Sequence, residues 1–204
     1  MRLSQTERME ASKVIAADAK LDVSYLLINA ISTIVACSGL LANSIGVIIG
    51  SMLIATLLSP IAGIALSLAE KNLKGTVDCI KTLLCGVLLV TAIAYLYGLF
   101  FPHIRPTDRM LARTDPGIFD VIIAFFGGIA GGISLLFKRY KMVMIGVGIA
   151  TALVPPLSTA GIFLAKANFH YGFKAIQLAL INITFITVAN FLVFKYFGIN
   201  SKIN

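Results

Sequence analysis

Two stretches decide the fold: Ile54-Ala55-Thr56-Leu57-Leu58-Ser59-Pro60 and Ile149-Ala150-Thr151-Ala152-Leu153-Val154-Pro155. They lie 95 residues apart, and their prolines coincide. Between 54–69 and 149–164, six of 16 positions are identical (Ile, Ala, Thr, Leu, Pro and Ala). Shifted by one residue, the flanks continue: Ile49-Gly50 matches Ile145-Gly146, and Leu68-Ala69 with Asn72 matches Leu164-Ala165 with Asn168. Apolar sequences match one another cheaply. The shared proline weighs more, because the chain has only six.

Both copies sit in runs without charge. Asp, Glu, Lys and Arg are absent from 24–69, 82–102, 121–137, 142–165 and 175–194. About 20 apolar residues carry a helix across roughly 30 Å of hydrocarbon. Four runs fit one crossing each. The run 24–69 is 46 residues long and must hold two, divided at the polar, turn-forming Ala42-Asn43-Ser44. Six spans follow, at 25–42, 45–69, 76–100, 118–137, 142–164 and 174–197. No segment alternates apolar and polar residues with period two, which argues against strands. The whole composition agrees: of 204 residues, 58% are hydrophobic and 13% charged, against about 25% charged in soluble domains. A mean hydropathy of +0.94 excludes a soluble enzyme, a disulfide-stapled secreted module and a disordered tail.

Three spans per copy make the second copy enter the bilayer from the opposite face. The expected fold is an all-α membrane protein of six transmembrane helices in two inverted-topology repeats, with spans two and five interrupted at their prolines. That plan recurs in secondary transporters, whose sites lie where the paired helices break. The parts expected are a leader (1–23), repeat 1 (24–100), an external loop (101–117), repeat 2 (118–197) and a tail (198–204). Proline lacks a donor and clashes with the carbonyl four residues back, here Thr56 for Pro60 and Thr151 for Pro155. In lipid, the freed groups must find side chains, water or a ligand. A single proline kink is also a common packing device. A matched pair, with Pro155 itself preceding Pro156 and so disfavoured in the α region, points instead to a break with a function.

Lys and Arg set the orientation. Twelve of the 17 basic residues fall on the side of the termini, and Arg105, Arg109, Arg113, Lys166 and Lys174 fall opposite. Both termini are therefore expected in the cytoplasm. The net charge of +8 reads as a topology signal; no basic stripe interleaved with aromatics suggests a nucleic-acid partner. The first 23 residues hold no apolar core of a signal peptide. Residues 7–22 form either a solvated leader or a short interfacial helix with a thin apolar face of Met9, Ile15 and Leu21. Cys37, Cys79 and Cys85 make no C-x-x-C pair, so free thiols are expected.

All nine carboxylates lie outside the span interiors, which argues against a buried carboxylate proton relay. Only Asp78 and Asp120, at span starts, lean inward, and either also serves as a helix-start carboxylate. His103 and His170 are too isolated for a metal site. With no G-x-S-x-G, H-E-x-x-H or carboxylate cluster, neither an enzyme nor a cofactor is expected. A ligand at mid-membrane must then meet neutral groups and open backbone. The candidate binding residues are Asn43, Ser51, Thr56, Ser59, Pro60, Thr151, Pro155, Pro156, Ser158, Thr159 and Asn182. Asn29, Ser32 and Thr33 in span one, and Thr184, Thr187 and Asn190 in span six, are further polar groups at that depth. A hydroxyl in such a helix often bonds only its own i−4 carbonyl, and Asn182 and Asn190 share a face suited to a neighbouring helix. Gly127, Gly128, Gly131 and Gly132, with Gly46 and Gly50, place small residues four apart, for tight packing inside the chain or between subunits.

The stretches Ser38-Gly39-Leu40-Leu41-Ala42-Asn43-Ser44, Ile49 to Ala55 and Leu58-Ser59-Pro60-Ile61, with Gly148 to Leu157 and Gly161, carry a resemblance. They resemble a hydrophobic membrane-domain family of bacteria and archaea, catalogued as domain of unknown function 389, over roughly residues 20–197. The resemblance implies a multi-pass protein of the bacterial inner membrane and brings no substrate. The functions expected are passage of a small solute or ion through a transporter or channel or, alternatively, a non-transporting subunit of a larger complex. The expected partners are membrane lipid and further copies of the chain.

Overall fold

The computed structural model describes residues 4–103, 105–137 and 153–199, and among these every regular element is a helix. The chain opens with α1 (Gln5–Asp18), started by Ser4, whose hydroxyl accepts from Glu7 N at 3.2 Å while Ser4 N donates to Glu7 Oε2 at 2.8 Å. This reciprocal box satisfies two donors at an otherwise open helix end. The buried face of α1 is Ala11, Ser12 and Ile15, packed on α4 and α7; Leu21, expected on that face, is 48% exposed.

Helix α2 (Val23–Leu41) ends where the sequence places the first boundary. Asn43 turns the chain with φ 52°, and Ser44 N donates to Gly39 O at 2.9 Å. The 45–69 run is then two helices, α3 (Ile45–Ile54) and α4 (Leu58–Ala69), bent by 47° at Ala55-Thr56-Leu57. Next come α5 (Leu73–Phe100), a short α6 (Asp108–Leu111), α7 (Ile118–Leu136), α8 (Val154–Ala165) and α9 (Phe169–Tyr196). Of these, α2, α5, α7 and α9 are long and apolar enough to cross a bilayer, and the bent pair α3–α4 makes a fifth candidate. The first part of the expected span 142–164 lies outside the described residues, with Gly146, Gly148 and Thr151.

The outward faces are apolar, as a lipid-facing surface requires. Leu84, Leu88, Leu96 and Leu99 of α5 and Ile118, Phe119 and Phe126 of α7 are all exposed. Inside, close helix approach rests on glycine. Gly161 of α8 sits against the carbonyl of Thr91 in α5, and Gly128 and Gly132 of α7 sit against Ile186, Ala189 and Asn190 of α9. The α7 glycines therefore pack within the chain.

Two consecutive pairs of helices correspond between the halves. Helices α4 and α8 both have 12 residues and α5 and α9 both have 28, each pair offset by 96 positions. Asn72 and Asn168 cap α5 and α9 through their side chains, after Lys71 and Ala167 that share φ 55°. The structural offset corrects the proline alignment: Pro60 is the third residue of α4, and its counterpart at the third position of α8 is Pro156, not Pro155. The expectation that Pro155 leaves the α region fails as well. Pro155 lies in the first helical turn, where its missing N–H would have no partner anyway.

Candidate functional site

The interruption between α3 and α4 is a defined structure. Ser51 O accepts the last α3-type bond, from Ala55 N at 3.2 Å, and Thr56 O accepts from Ser59 N at 3.1 Å. Between them the backbone is taken up by α2. Asn29 Nδ2 donates to Thr56 Oγ1 at 2.8 Å and to Tyr25 O at 2.8 Å, while Thr56 N donates to Asn29 Oδ1 at 3.1 Å. One turn further along α2, Ser32 Oγ donates to Ser51 O at 2.7 Å, and Ser51 Oγ returns to Ile48 O at 2.7 Å. Asn29 and Ser32 are fully buried. An amide carries both a donor and an acceptor, so a single Asn can close both sides of a broken helix.

The start of α8 lies in the same core. Leu57 and Ile61 beside the first break cluster with Leu153, Val154 and Leu157 at the start of α8, together with Tyr25, Val90 and Ile186. Neither α4 nor α8 has a side-chain cap. Such helix ends present free N–H groups and the positive end of the helix dipole. One turn into α8, Ser158 and Thr159 are fully buried, and among the described residues their hydroxyls have no hydrogen-bond partner within bonding geometry. The Ser158 hydroxyl has the thiol of Cys37 on α2 beside it, a weak hydrogen-bonding group that replaces little of what water would offer. An unmade buried hydrogen bond costs about 1–3 kcal/mol, so this pair is an unspent polar surface beside the break.

Two cavities lie against α4. The larger, of about 490 Å³, lies between the α1–α2 junction, α4 and α5, with Lys20, Glu70, Asp78, Lys81, Ser67 and Thr82 in its lining. Tyr25 contacts Thr82 of this cavity's lining and packs in one cluster with Leu57 at the break. Its hydroxyl donates to Thr82 O at 3.2 Å, and its ring rests on Gly86, where a side chain would strike both the phenol and Leu57. The smaller, of about 50 Å³, is bounded by Ser59, Gly128, Gly131 and Asn190 between α4, α7 and α9. Asn190 Oδ1 is buried there, with no hydrogen-bond partner among the described residues.

The expected binding residues thus divide. Thr56, Ser59, Pro60 and Ser51 line or support the first break; Pro155, Pro156, Ser158 and Thr159 lie at the second helix start, and Asn182 is buried on α9. Asn43 is elsewhere: it is exposed, and its Oδ1 accepts from Arg109 N at 3.3 Å. Thr151 falls outside the described residues. Tyr25 and Cys37 were not among the sequence candidates. Their signal was the face of α2 on which Tyr25, Asn29, Ser32, Thr33 and Cys37 recur at helical spacing, every one of them buried.

A family described as domain of unknown function (DUF389) has a model that matches residues 52–188. An uncharacterised protein of Methanocaldococcus jannaschii is 32% identical over 187 residues, covering 91% of this chain. The chain spans 58% of that relative's length. No solved structure matches the chain.

Proposed function

The chain belongs to the DUF389 family, and from that premise we propose that it is a multi-pass membrane transporter or channel. It moves a small solute or ion through a site between the α3–α4 break and the proline-marked start of α8, the rest of the expected span five lying outside the described residues. In this reading six spans form two inverted repeats, both termini are cytoplasmic and the membrane is the bacterial inner membrane. The observation that carries it is the pair of uncapped helix starts, both proline-marked, meeting in one core beside the unpartnered hydroxyls of Ser158 and Thr159. Matched helix lengths at a constant offset support the repeat, because corresponding interrupted helices frame the site in such folds. Recognition uses hydroxyls, amides and backbone. Lys20, Glu70, Asp78 and Lys81 make the larger cavity an entrance, closed from the break by Tyr25.

A non-transporting subunit is the second reading, favoured by one observation: Asn29 satisfies both the N–H and the hydroxyl of Thr56 within the chain. The two readings part on water. With Cys37, Cys79 and Cys85 replaced, single cysteines at Thr56, Ser59 and Ser158 are treated with a water-soluble thiol reagent in proteoliposomes. Transport predicts labelling at all three sites, faster when Tyr25 is replaced by Ala. Complete protection at all three, with and without Tyr25→Ala, refutes it in favour of the subunit reading.

A further inference from the structure

We infer that Arg109 and Arg113 form a binding site for a phosphate-type oxyanion, at the end of the molecule remote from α1. The site is independent of the proposed passage and of what moves through it.

The segment that carries the pair is anchored. Met110 is fully buried among Cys37, Leu40, Ile48 and Phe163. Thr107 Oγ1 donates to Leu40 O at 2.8 Å, and Arg109 N donates to Asn43 Oδ1 at 3.3 Å. Beyond α6 the turn continues, with Ala112 N on Asp108 O at 2.9 Å and Arg113 N on Met110 O at 3.0 Å. Residues four apart in such a turn share a face, so the two guanidinium groups are neighbours on a fixed support.

Their own needs are unmet. Both Nε atoms are buried and have no hydrogen-bond partner. Among the described residues the one ion pair is Lys81 with Asp78, at 3.9 Å, so neither arginine is bridged to a carboxylate. Asp120, the nearest acidic influence on Arg113, already accepts from Gly117 N at 2.8 Å as a helix-start cap. Burial first, and then the like charge of Arg109, disfavour the charged form of Arg113, against the opposing pull of Asp120. Two half-buried, mutually repelling cations with idle donors are a poor arrangement for an empty protein and a good one for an anion. The planar guanidinium fork matches phosphate oxygens in pairs.

Charge bias points the same way. In a membrane protein Lys and Arg gather on the cytoplasmic side, and Arg105, Arg109 and Arg113 fall in the loop opposite that excess. The phosphate belongs either to a lipid headgroup or to a free anion. Exposed Ile118 and Phe119, just after the loop, would put the pair at headgroup depth.

The test is an arginine footprint on the full-length wild-type protein. Phenylglyoxal modification of Arg105, Arg109 and Arg113 is followed by mass spectrometry in two settings. In detergent, inorganic phosphate is compared with chloride at matched ionic strength. In nanodiscs, phosphatidylglycerol is compared with a phosphate-free galactolipid. Expected is a slowing of roughly tenfold or more at Arg109 and Arg113, with Arg105 unchanged. Slowing by free phosphate identifies a soluble anion, and slowing only by phosphatidylglycerol identifies a headgroup. Equal reactivity at Arg109 and Arg113 under all four conditions overturns the site. In a second measurement, whichever of phosphate and phosphatidylglycerol slows the modification raises the melting temperature of wild type and Arg105→Gln but not of Arg109→Gln/Arg113→Gln; an unchanged rise in the double variant also overturns it.

Discussion

At the residue scale, one side chain decides whether a broken helix is affordable in lipid. Asn29 meets Thr56 with a donor and an acceptor at once, where water would be needed otherwise. Replacing it with Leu strands the N–H and the hydroxyl of Thr56. We expect Asn29→Leu to destabilise the protein by about 1–3 kcal/mol, read from denaturant unfolding in detergent. Thr33→Val should cost less, because the Thr33 hydroxyl only returns to Asn29 O at 2.6 Å within its own helix. A wild-type unfolding midpoint for Asn29→Leu would remove Asn29 from this role. The sequence marks Asn29 as a polar residue at membrane depth. It does not mark its partner, 27 positions away, because that pairing exists only after α3 folds back along α2.

At the element scale, glycine records which faces are pressed together. A Cβ on Gly161 would lie 2.5 Å from the backbone oxygen of Thr91 and 2.8 Å from the nitrogen of Tyr95. Backbone cannot step aside as a flexible side chain can, so Gly161→Ala must push α8 from α5. A Cβ on Gly50 meets nothing within 4 Å, and Gly50→Ala should be neutral or slightly stabilising through helix propensity, by up to about 1 kcal/mol. Melting temperatures of the two variants test the contrast; equal values would show that α5 and α8 are not in close contact. The sequence exposes both glycines equally and even sets Gly50 in a small-xxx-small pair with Gly46. Which glycine is pressed depends on the crossing partner. The prolines teach the same lesson. Their presence in both copies is legible, yet their alignment was off by one until helix starts fixed it, since Pro155 and Pro156 both sit where a first turn needs no donor.

At the scale of the whole molecule, α1 meets the turn that follows α9. Arg8 Nη1 donates to Gly198 O at 3.4 Å, and Ser12 Oγ donates to Glu70 Oε1 at 2.8 Å, tying α1 to the ends of α4 and α9. The proposed six-span reading requires both ends to face one compartment. Reporter fusions after Tyr196 should therefore read cytoplasmic, and an insertion at Arg105 should read external; a cytoplasmic signal at Arg105 would refute the six-span reading. The sequence by itself determined the membrane-like apolar helices, their boundaries near Asn43, Asn72 and Asn168, and the recurrence of a proline-centred motif. Each of these is local: hydropathy sums over about 20 neighbouring residues, and a cap needs only the next turn. Only the tertiary structure decided that α1 docks through Ala11, Ser12 and Ile15, that Tyr25 links Thr82 to the core at the break, and that Ser158 and Thr159 lie buried with no hydrogen-bond partner of good geometry among the described residues. It also brought Arg109 and Arg113 together on an anchored loop. Those facts depend on contacts between elements distant in sequence, and a hydroxyl or guanidinium is satisfied or idle only with respect to what packing places beside it.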